Sequence, residues 1–367
     1  MTAILPAGSN HTRLWGLTPR ERLARMAAKR DMDFASGPGG GPMVANLDYV
    51  FDPAWLSMIA ERPDHVVTLA GVPVLAHVAD LDRRIGVTLA MREGQRLDPA
   101  GLTVIAFEDA ESLENEALRK RERPFMGRLA PETVPALERE SYFGAYKGVT
   151  DILTKYLWPE WALVLTRLAA RFGITPNQVT AVGALLCVAA TFLFAYGWYW
   201  TGLAAGLVFM VLDTVDGKLA RCTLTSSWWG NVLDHGIDLV HPPFWWWAWG
   251  LGLHAYGRPL DTQTFWWVLA AIVGGYVVQR VIEGAFIAWF KIHIHVWRRF
   301  DSRFRLITAR RNPNMVILLA FLAAGRPDWG LIAVAGWTVA SLAVHSVQLI
   351  QALAARATGR PVKSWLA

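Results

Sequence analysis

The residues with the clearest chemistry lie in the stretch VLDTVDGKLARCTLTSSWWGNVLDHGIDLV, residues 211–240. Asp213, Asp216, Gly217 and Ala220 recur at i, i+3, i+4 and i+7 and so share one helical face. Asp234 and Asp238 are i and i+4 on a second helix, with Gly230 one turn earlier. Both segments border apolar stretches, where ionisable groups are costly and call for a compensating cation. Four carboxylates, without Cys and with no His among these fixed positions, suit a hard divalent ion bound through oxygen, Mg²⁺ or Mn²⁺, as a pair. Two such ions would bridge a pyrophosphate and stabilise charge on a leaving phosphate. The small residues Gly217, Ala220 and Gly230 leave room for a bulky nucleotide, and Arg221 is placed to contact its phosphates.

The pattern D-x2-D-G-x2-A-R-x8-G-x3-D-x3-D resembles the signature of the CDP-alcohol phosphotransferases, and Asp213, Asp216, Gly217, Ala220, Arg221, Gly230, Asp234 and Asp238 match it at every position. The resemblance implies a six-helix membrane fold, homodimeric, with a cytoplasm-facing cavity in which a hydroxyl attacks the β-phosphate of a CDP-linked alcohol and releases CMP. It implies Asp213, Asp216 and Asp234 as metal ligands, with Asp238 as fourth ligand or general base. Gly217, Ala220, Arg221, Ser227 and Gly230 are the expected CDP-site residues.

Asp216-Gly217-Lys218, Ala220-Arg221, Thr223, Ser226-Ser227 and Asp234-His235-Gly236-x-Asp238 together resemble the choline and ethanolamine phosphotransferases. In that branch the donor is a CDP-headgroup and the acceptor a lipid hydroxyl. His235 is then a candidate general base, since a neutral imidazole suits that role near pH 7; the other reading is a helix-end histidine bonded locally. Ile174-Thr175-Pro176-Asn177-Gln178-Val179-Thr180 instead resembles the branch that makes inositol-phosphate diesters and phosphatidylinositol phosphate. There a basic pocket binds a phosphorylated polyol, which points to Lys155, Arg310 and Arg311, unless these simply face lipid phosphate. The favoured pairing is a CDP-headgroup donor with a lipid acceptor; the alternative is CDP-diacylglycerol with a soluble polyol or polyol phosphate.

The elements that must position these residues are visible in composition. The chain has 367 residues, 53% hydrophobic and 18% charged, with 19 Trp. Residues 1–140 carry 17 basic against 20 acidic residues and 2 Trp, the remainder 19 against 10 and 17 Trp. A mildly acidic α/β domain over 1–140 thus precedes a basic, apolar region, an arrangement that suits a membrane enzyme and excludes a nucleic-acid binder, a disordered chain and, with only Cys187 and Cys222, a disulfide scaffold. The N-terminus lacks a basic head followed by an apolar run, so no cleavable signal peptide is expected.

A span needs about 20 mostly apolar residues. Candidates are 179–200, 202–221, 230–254, 265–290 and 329–354, with a weaker fifth in order, 313–326, too short to cross alone. Residues 291–311 hold seven basic residues against Asp301, whereas 255–263 and 325–328 each carry one Arg and one Asp. By the positive-inside rule the basic loop, both termini and the active site are cytoplasmic, in an inner (plasma) membrane protein. Residues 147–172 read as an amphipathic helix on that face, within a juxtamembrane segment 141–175 that leads into a transferase domain 176–367.

Within 1–140, residues 36–42 read as a flexible turn, lacking the Lys-Ser/Thr end of a phosphate loop. A short helix after Asp52-Pro53 is expected, then a hairpin of 65–70 and 72–78 about Gly71, with Pro73 confining the second strand to a sheet edge. Residues 102–107 form a further strand and 111–123 a helix. The domain resembles the trailing half of a cytidylyltransferase, without its Gly-rich nucleotide loop, and so is read as degenerate. The Trp245–Trp247 and Trp249 cluster lines an acyl groove or faces lipid; Arg280 and Glu283, three residues apart, either pair within the bundle or reach substrate. A metal role for His293 and His295 is not expected from their alternating spacing. A cation transporter is the rival of a different class; the Asp motif is not repeated in inverted form, as such a fold would often show.

Overall fold

The computed structural model describes residues 3–99 and 101–367; the side chains of Pro38, Asn231, Leu233, Asp234 and His235 lie outside the described residues. The N-terminal α/β region comprises β1 (Ala3–Ala7), α1 (Pro19–Ala28), β2 (Asp33–Phe34), β3 (Met43–Asn46), β4 (Tyr49–Phe51), α2 (Pro53–Ala60), β5 (His65–Leu69), β6 (Val72–His77), α3 (Leu81–Glu93), β7 (Thr103–Ala106), β8 (Leu113–Asn115), β9 (Lys120–Glu122) and β10 (Met126–Arg128). Its main sheet has the order β2-β1-β3-β6-β5-β7; β4 pairs with β10 and β8 with β9.

The hairpin about Gly71 forms, but β6 is an interior strand, not an edge. Pro73 is tolerated there because β3 pairs only with Leu75, Ala76 and His77, and because the β5–β6 register shifts at Val67/Thr68. The missing N–H of Pro73 therefore falls beyond the ladder with β3. The expected helix over 111–123 is the β8–β9 hairpin instead. Asn115 accepts a hydrogen bond from Leu118 N (3.0 Å), and Arg119 takes a left-handed φ of 52°, both turn features that the charge pattern concealed.

The remainder is helical: α4 (Val134–Gly144), a single π-helical turn at 153–157, α5 (Pro159–Arg171), α6 (Pro176–Ala195), α7 (Tyr199–Cys222), α8 (Trp228–Ala255), α9 (Thr262–Phe290), α10 (Arg299–Phe304), α11 (Arg311–Ala323) and α12 (Pro327–Ala357). The expected amphipathic helix is split, since Pro159 starts α5 afresh after the π turn. Thr175 caps α6 in a capping box with Gln178.

Among the described residues, three helices, α6, α9 and α12, are long and apolar enough to cross a membrane. The 24-residue α7 carries Asp213, Asp216, Lys218 and Arg221. The 13 residues of α11 rise about 20 Å, short of the roughly 30 Å of a bilayer core. Outward apolar side chains such as Leu185, Phe192, Trp267 and Val281 are exposed, as lipid contact would require. Trp245, Trp246 and Trp249, by contrast, are fully buried with Phe194, Tyr199 and Phe209, so they build the core and neither line a groove nor face lipid; only Trp247 of the cluster is exposed.

The N-terminal region grips the joint between the two motif helices. Arg22 and Arg25 donate to the carbonyls of Cys222 (2.9 Å) and Thr223 (2.6 Å), satisfying end groups that α7 leaves without helical partners. Leu224, in the turn to α8 with φ 58°, is buried in the N-terminal core, and Leu14, Trp15 and Phe125 pack with Val215, Leu219 and Cys222.

Candidate active site

Where α7, α8, α9 and α11 meet the loops before α5 and α10, the structure holds a polar cavity of about 460 Å³. Asp213, Gly217 and Arg221 of α7 and Asp238 of α8 line it, as the helical spacing requires. Arg311, the first residue of α11, spans two of the carboxylates: Nη2 donates to Asp213 and Nη1 to Asp238, each at 2.7 Å. Its guanidinium also lies 4.8 Å from the Phe209 ring centroid, and Nε donates to Asn312 (3.0 Å).

Asp216 points to the neighbouring face and is buried. It accepts from the Thr180 hydroxyl of α6 at 2.6 Å and from the backbone N–H of Gly217. The Arg221 guanidinium folds back over Gly217, where a Cβ would meet Nη2 at 3.2 Å, and its Nε donates to Ala145 O (3.1 Å). Lys218, one residue on from Gly217, donates to the same carbonyl (3.0 Å) and stands 3.3 Å from the Tyr146 ring centroid.

Ala220, Ser227 and Gly230 are not among the described lining residues; Ser227 caps α8 by accepting from Gly230 N at 3.1 Å. Asp234 and His235, expected as ligand and base, have side chains outside the described residues.

The sequence pattern did not disclose the polar wall opposite α7. Asp151 accepts from Thr154 Oγ1 (2.8 Å) and Asn312 Nδ2 (3.0 Å). Burial pushes the Asp151 carboxyl up, but Arg305 and these hydrogen bonds outweigh it and hold the group below the usual carboxylate range. Beyond it, Glu283 pairs with Arg280 (2.7 Å) and with Arg310 (2.6 Å), and His295 Nε2 is 3.3 Å away. Burial keeps His295 well below the ordinary histidine range. Glu283, His295 and His345 bring ligand-type atoms within 4.8 Å of one another, but Arg310 Nη2 bonds both Glu283 oxygens and lies 3.2 Å from His295 Nε2. Of the three basic residues expected around a polyol phosphate, Arg310 and Arg311 line the cavity; Lys155 is turned toward Gly148 O and Tyr156.

Residues 173–344 match the family model described as CDP-alcohol phosphatidyltransferase. The chain is 34% identical over 162 residues to choline/ethanolaminephosphotransferase 1 of Arabidopsis thaliana, covering 40% of this chain and 39% of that protein. It is 31% identical over 127 residues to cholinephosphotransferase 1 of Gallus gallus, covering 32% and 36%. It is also 35% identical over 82 residues to phosphatidylinositol phosphate synthase of Cutibacterium acnes, covering 21% and 40%. The matches thus span two fifths or less of the length of these relatives.

Proposed function

We propose that this protein transfers a substituted phosphate group from a CDP-alcohol to an acceptor hydroxyl, with release of CMP, in phospholipid biosynthesis at a membrane. The observation that carries the reading is the meeting of two motif carboxylates, Asp213 and Asp238, at one cavity within a segment that matches the CDP-alcohol phosphatidyltransferase model. Asp213, Asp216, Asp234 and Asp238 would hold Mg²⁺ or Mn²⁺, two ions in our reading. The donor set fits: it is all oxygen, and Asp213 and Asp238 already converge on one cationic group, the guanidinium of Arg311. When bound, the ions neutralise the donor pyrophosphate and the developing charge on the departing CMP phosphate.

The chain's own residues do the rest. Thr180 fixes the Asp216 carboxylate. Arg221, lying over Gly217, is positioned to meet the phosphates of CDP, and Arg311 to reach the transferred phosphoryl group. Asp238 or His235 takes the proton of the attacking hydroxyl. The membrane part is read as six spans with both termini and the cavity on the cytoplasmic side, α5 lying along that face and two copies forming a homodimer. The exposed Trp161 and Leu168 of α5, and Phe172 just after it, support the interfacial placement.

The Asp234-His235-Gly236 match favours a CDP-headgroup donor and a lipid acceptor. A second reading, CDP-diacylglycerol with a polyol phosphate, has one observation of its own: the cavity wall beyond Asp151 is crowded with guanidinium groups, for which a neutral lipid hydroxyl offers no counter-charge. The test is to incubate purified protein with CDP-diacylglycerol, CDP-ethanolamine, CDP-choline or CDP-inositol, extracted lipid or inositol phosphate, and Mg²⁺ or Mn²⁺. CMP formation with one pairing selects it; none with any pairing refutes the transferase reading.

A further inference from the structure

Pro242 and Pro243 lie inside α8, one turn after Asp238. Proline has no backbone N–H, so the carbonyls of Asp238 and Leu239, four residues before each, lose the donors that a regular helix would give them. A bare carbonyl at membrane depth is costly unless a neighbouring helix satisfies it. Here the neighbour is α9: Tyr276 Oη donates to Leu239 O at 3.0 Å and stands 3.5 Å from Asp238 O. One phenol therefore answers both prolines.

The arrangement sits at the site. Asp238, Leu239, Pro242 and Tyr276 all line the cavity. His241 braces the carbonyl just before this pair: its Nδ1 lies 2.6 Å from Ile237 O and so carries the ring proton. The His241 ring meets Phe209 edge-on at 5.1 Å, and Phe209 is the ring against which the Arg311 guanidinium lies. Three consecutive carbonyls, those of Ile237, Asp238 and Leu239, thus face side-chain donors. The Asp238 carboxylate is held by Arg311 Nη1 at 2.7 Å and is nearly half exposed. With little to restrain it at its own end, its direction depends on the main chain beneath it. An ordinary helical bond would hold that turn within α8 alone; the tyrosine bond makes its position depend on α9.

We infer that Tyr276 is a positioning residue for Asp238: its hydroxyl replaces the helical donors removed by Pro242 and Pro243, and so holds the α8 turn that aims this carboxylate into the cavity. The inference rests on the transferase reading for the role of Asp238 as a metal ligand. It adds to that reading a residue of α9, outside the Asp motif.

The test uses full-length protein in phosphatidylcholine nanodiscs and two measurements. One is hydrogen exchange of the peptide 236–246 in EDTA; the other is the Mg²⁺ half-saturation, read both as CMP release and as the rise in melting midpoint. Tyr276→Phe keeps the ring and should speed exchange about three- to tenfold. It should raise the Mg²⁺ half-saturation about tenfold, with turnover at saturating Mg²⁺ close to wild type. Pro243→Ala in the Tyr276→Phe background gives Leu239 O a helical N–H again and should return both readings most of the way to wild type. Pro242→Ala does the same for Asp238 O and serves as the second rescue variant. A tyrosine that only filled space would not be rescued by an added N–H. Wild-type exchange or a wild-type Mg²⁺ requirement in Tyr276→Phe, or rescue by neither proline replacement, overturns the inference. Failure of the transferase reading would show separately, as no CMP from any CDP-alcohol with wild-type protein; exchange and the melting response to Mg²⁺ then still decide the role of Tyr276.

Discussion

Arg311 Nη2 stands 2.7 Å from Asp213 Oδ2, and this contact ties the start of α11 to the motif helix α7 across the cavity. Its second nitrogen holds Asp238 at the same distance, so one residue closes the circuit α7–α11–α8. Removing a buried partner of a charge pair leaves the other charge uncompensated, at a cost of about 3 to 5 kcal/mol. Arg311→Ala should therefore lower the thermal midpoint in EDTA, and millimolar Mg²⁺ should restore more of it than in wild type, because Asp213 and Asp238 then depend on the ion. Equal Mg²⁺ responses in a melting experiment would contradict the shared role of these carboxylates.

Asp213→Asn and Asp216→Asn replace an anionic ligand by a neutral one of the same shape. Each should reduce CMP release by at least about 10³-fold, in the range seen when preorganised charge stabilisation is lost, while gel filtration stays as in wild type. Wild-type turnover in either variant would remove it from the metal set.

Thr180→Val deletes the hydroxyl that orients Asp216 at 2.6 Å. Positioning losses of this kind cost about 10- to 100-fold in affinity or activity. The expected signature is a raised Mg²⁺ requirement, read as the metal concentration giving half-maximal CMP release, with the melting midpoint within a few degrees of wild type.

Gly252 of α8 packs against the backbone at Phe194 and Gly197, where a Cβ would collide with main-chain atoms that cannot turn aside. Gly252→Ala should force α6 and α8 apart and lower stability by roughly 1 to 3 kcal/mol or more, measured as a fall in melting midpoint. Gly336→Ala, where a Cβ would meet nothing within 4 Å, should be nearly neutral.

Arg22→Ala should loosen the N-terminal region from α7, since Arg22 is buried and holds Cys222 O at 2.9 Å. A charged hydrogen bond of this kind contributes about 1.5 to 3 kcal/mol. Limited proteolysis should then cut between the α/β region and the helices faster than in wild type.

The motif helices were legible because the spacing of Asp213, Asp216 and Gly217 is a local, periodic signal, and so was the α6 start, where Thr175, Pro176 and Gln178 form a cap from adjacent residues. The Arg280–Glu283 pair was legible for the same reason. Arg305 was visible only as loop charge, and Arg311 only as a candidate for a phosphate pocket: their partners Asp213, Asp238 and Asp151 are remote in sequence, and charge runs at membrane ends look alike whether they meet lipid or a site. The 111–123 segment misled because its charges suit a helix surface as well as a hairpin, while the determinant, a turn docked on Gly148, is tertiary. Pro73 misled because the edge rule assumes a full ladder, and β3 stops short of it. The Trp residues of α8 were read as lining an acyl groove or facing lipid; packing against Phe194 and Tyr199 buries three of them in the core instead.

The central claim is CMP-releasing transfer at the α7–α8 carboxylates. Its most direct measurement is a single-turnover assay of the purified full-length protein with a CDP-alcohol labelled in both phosphates, run with Mg²⁺ or Mn²⁺ and with EDTA. The account predicts CMP and phosphorylated acceptor in equal amounts, dependent on the divalent ion and lost in Asp213→Asn. Undiminished product in EDTA, or release of the label as CDP in place of CMP, would contradict it.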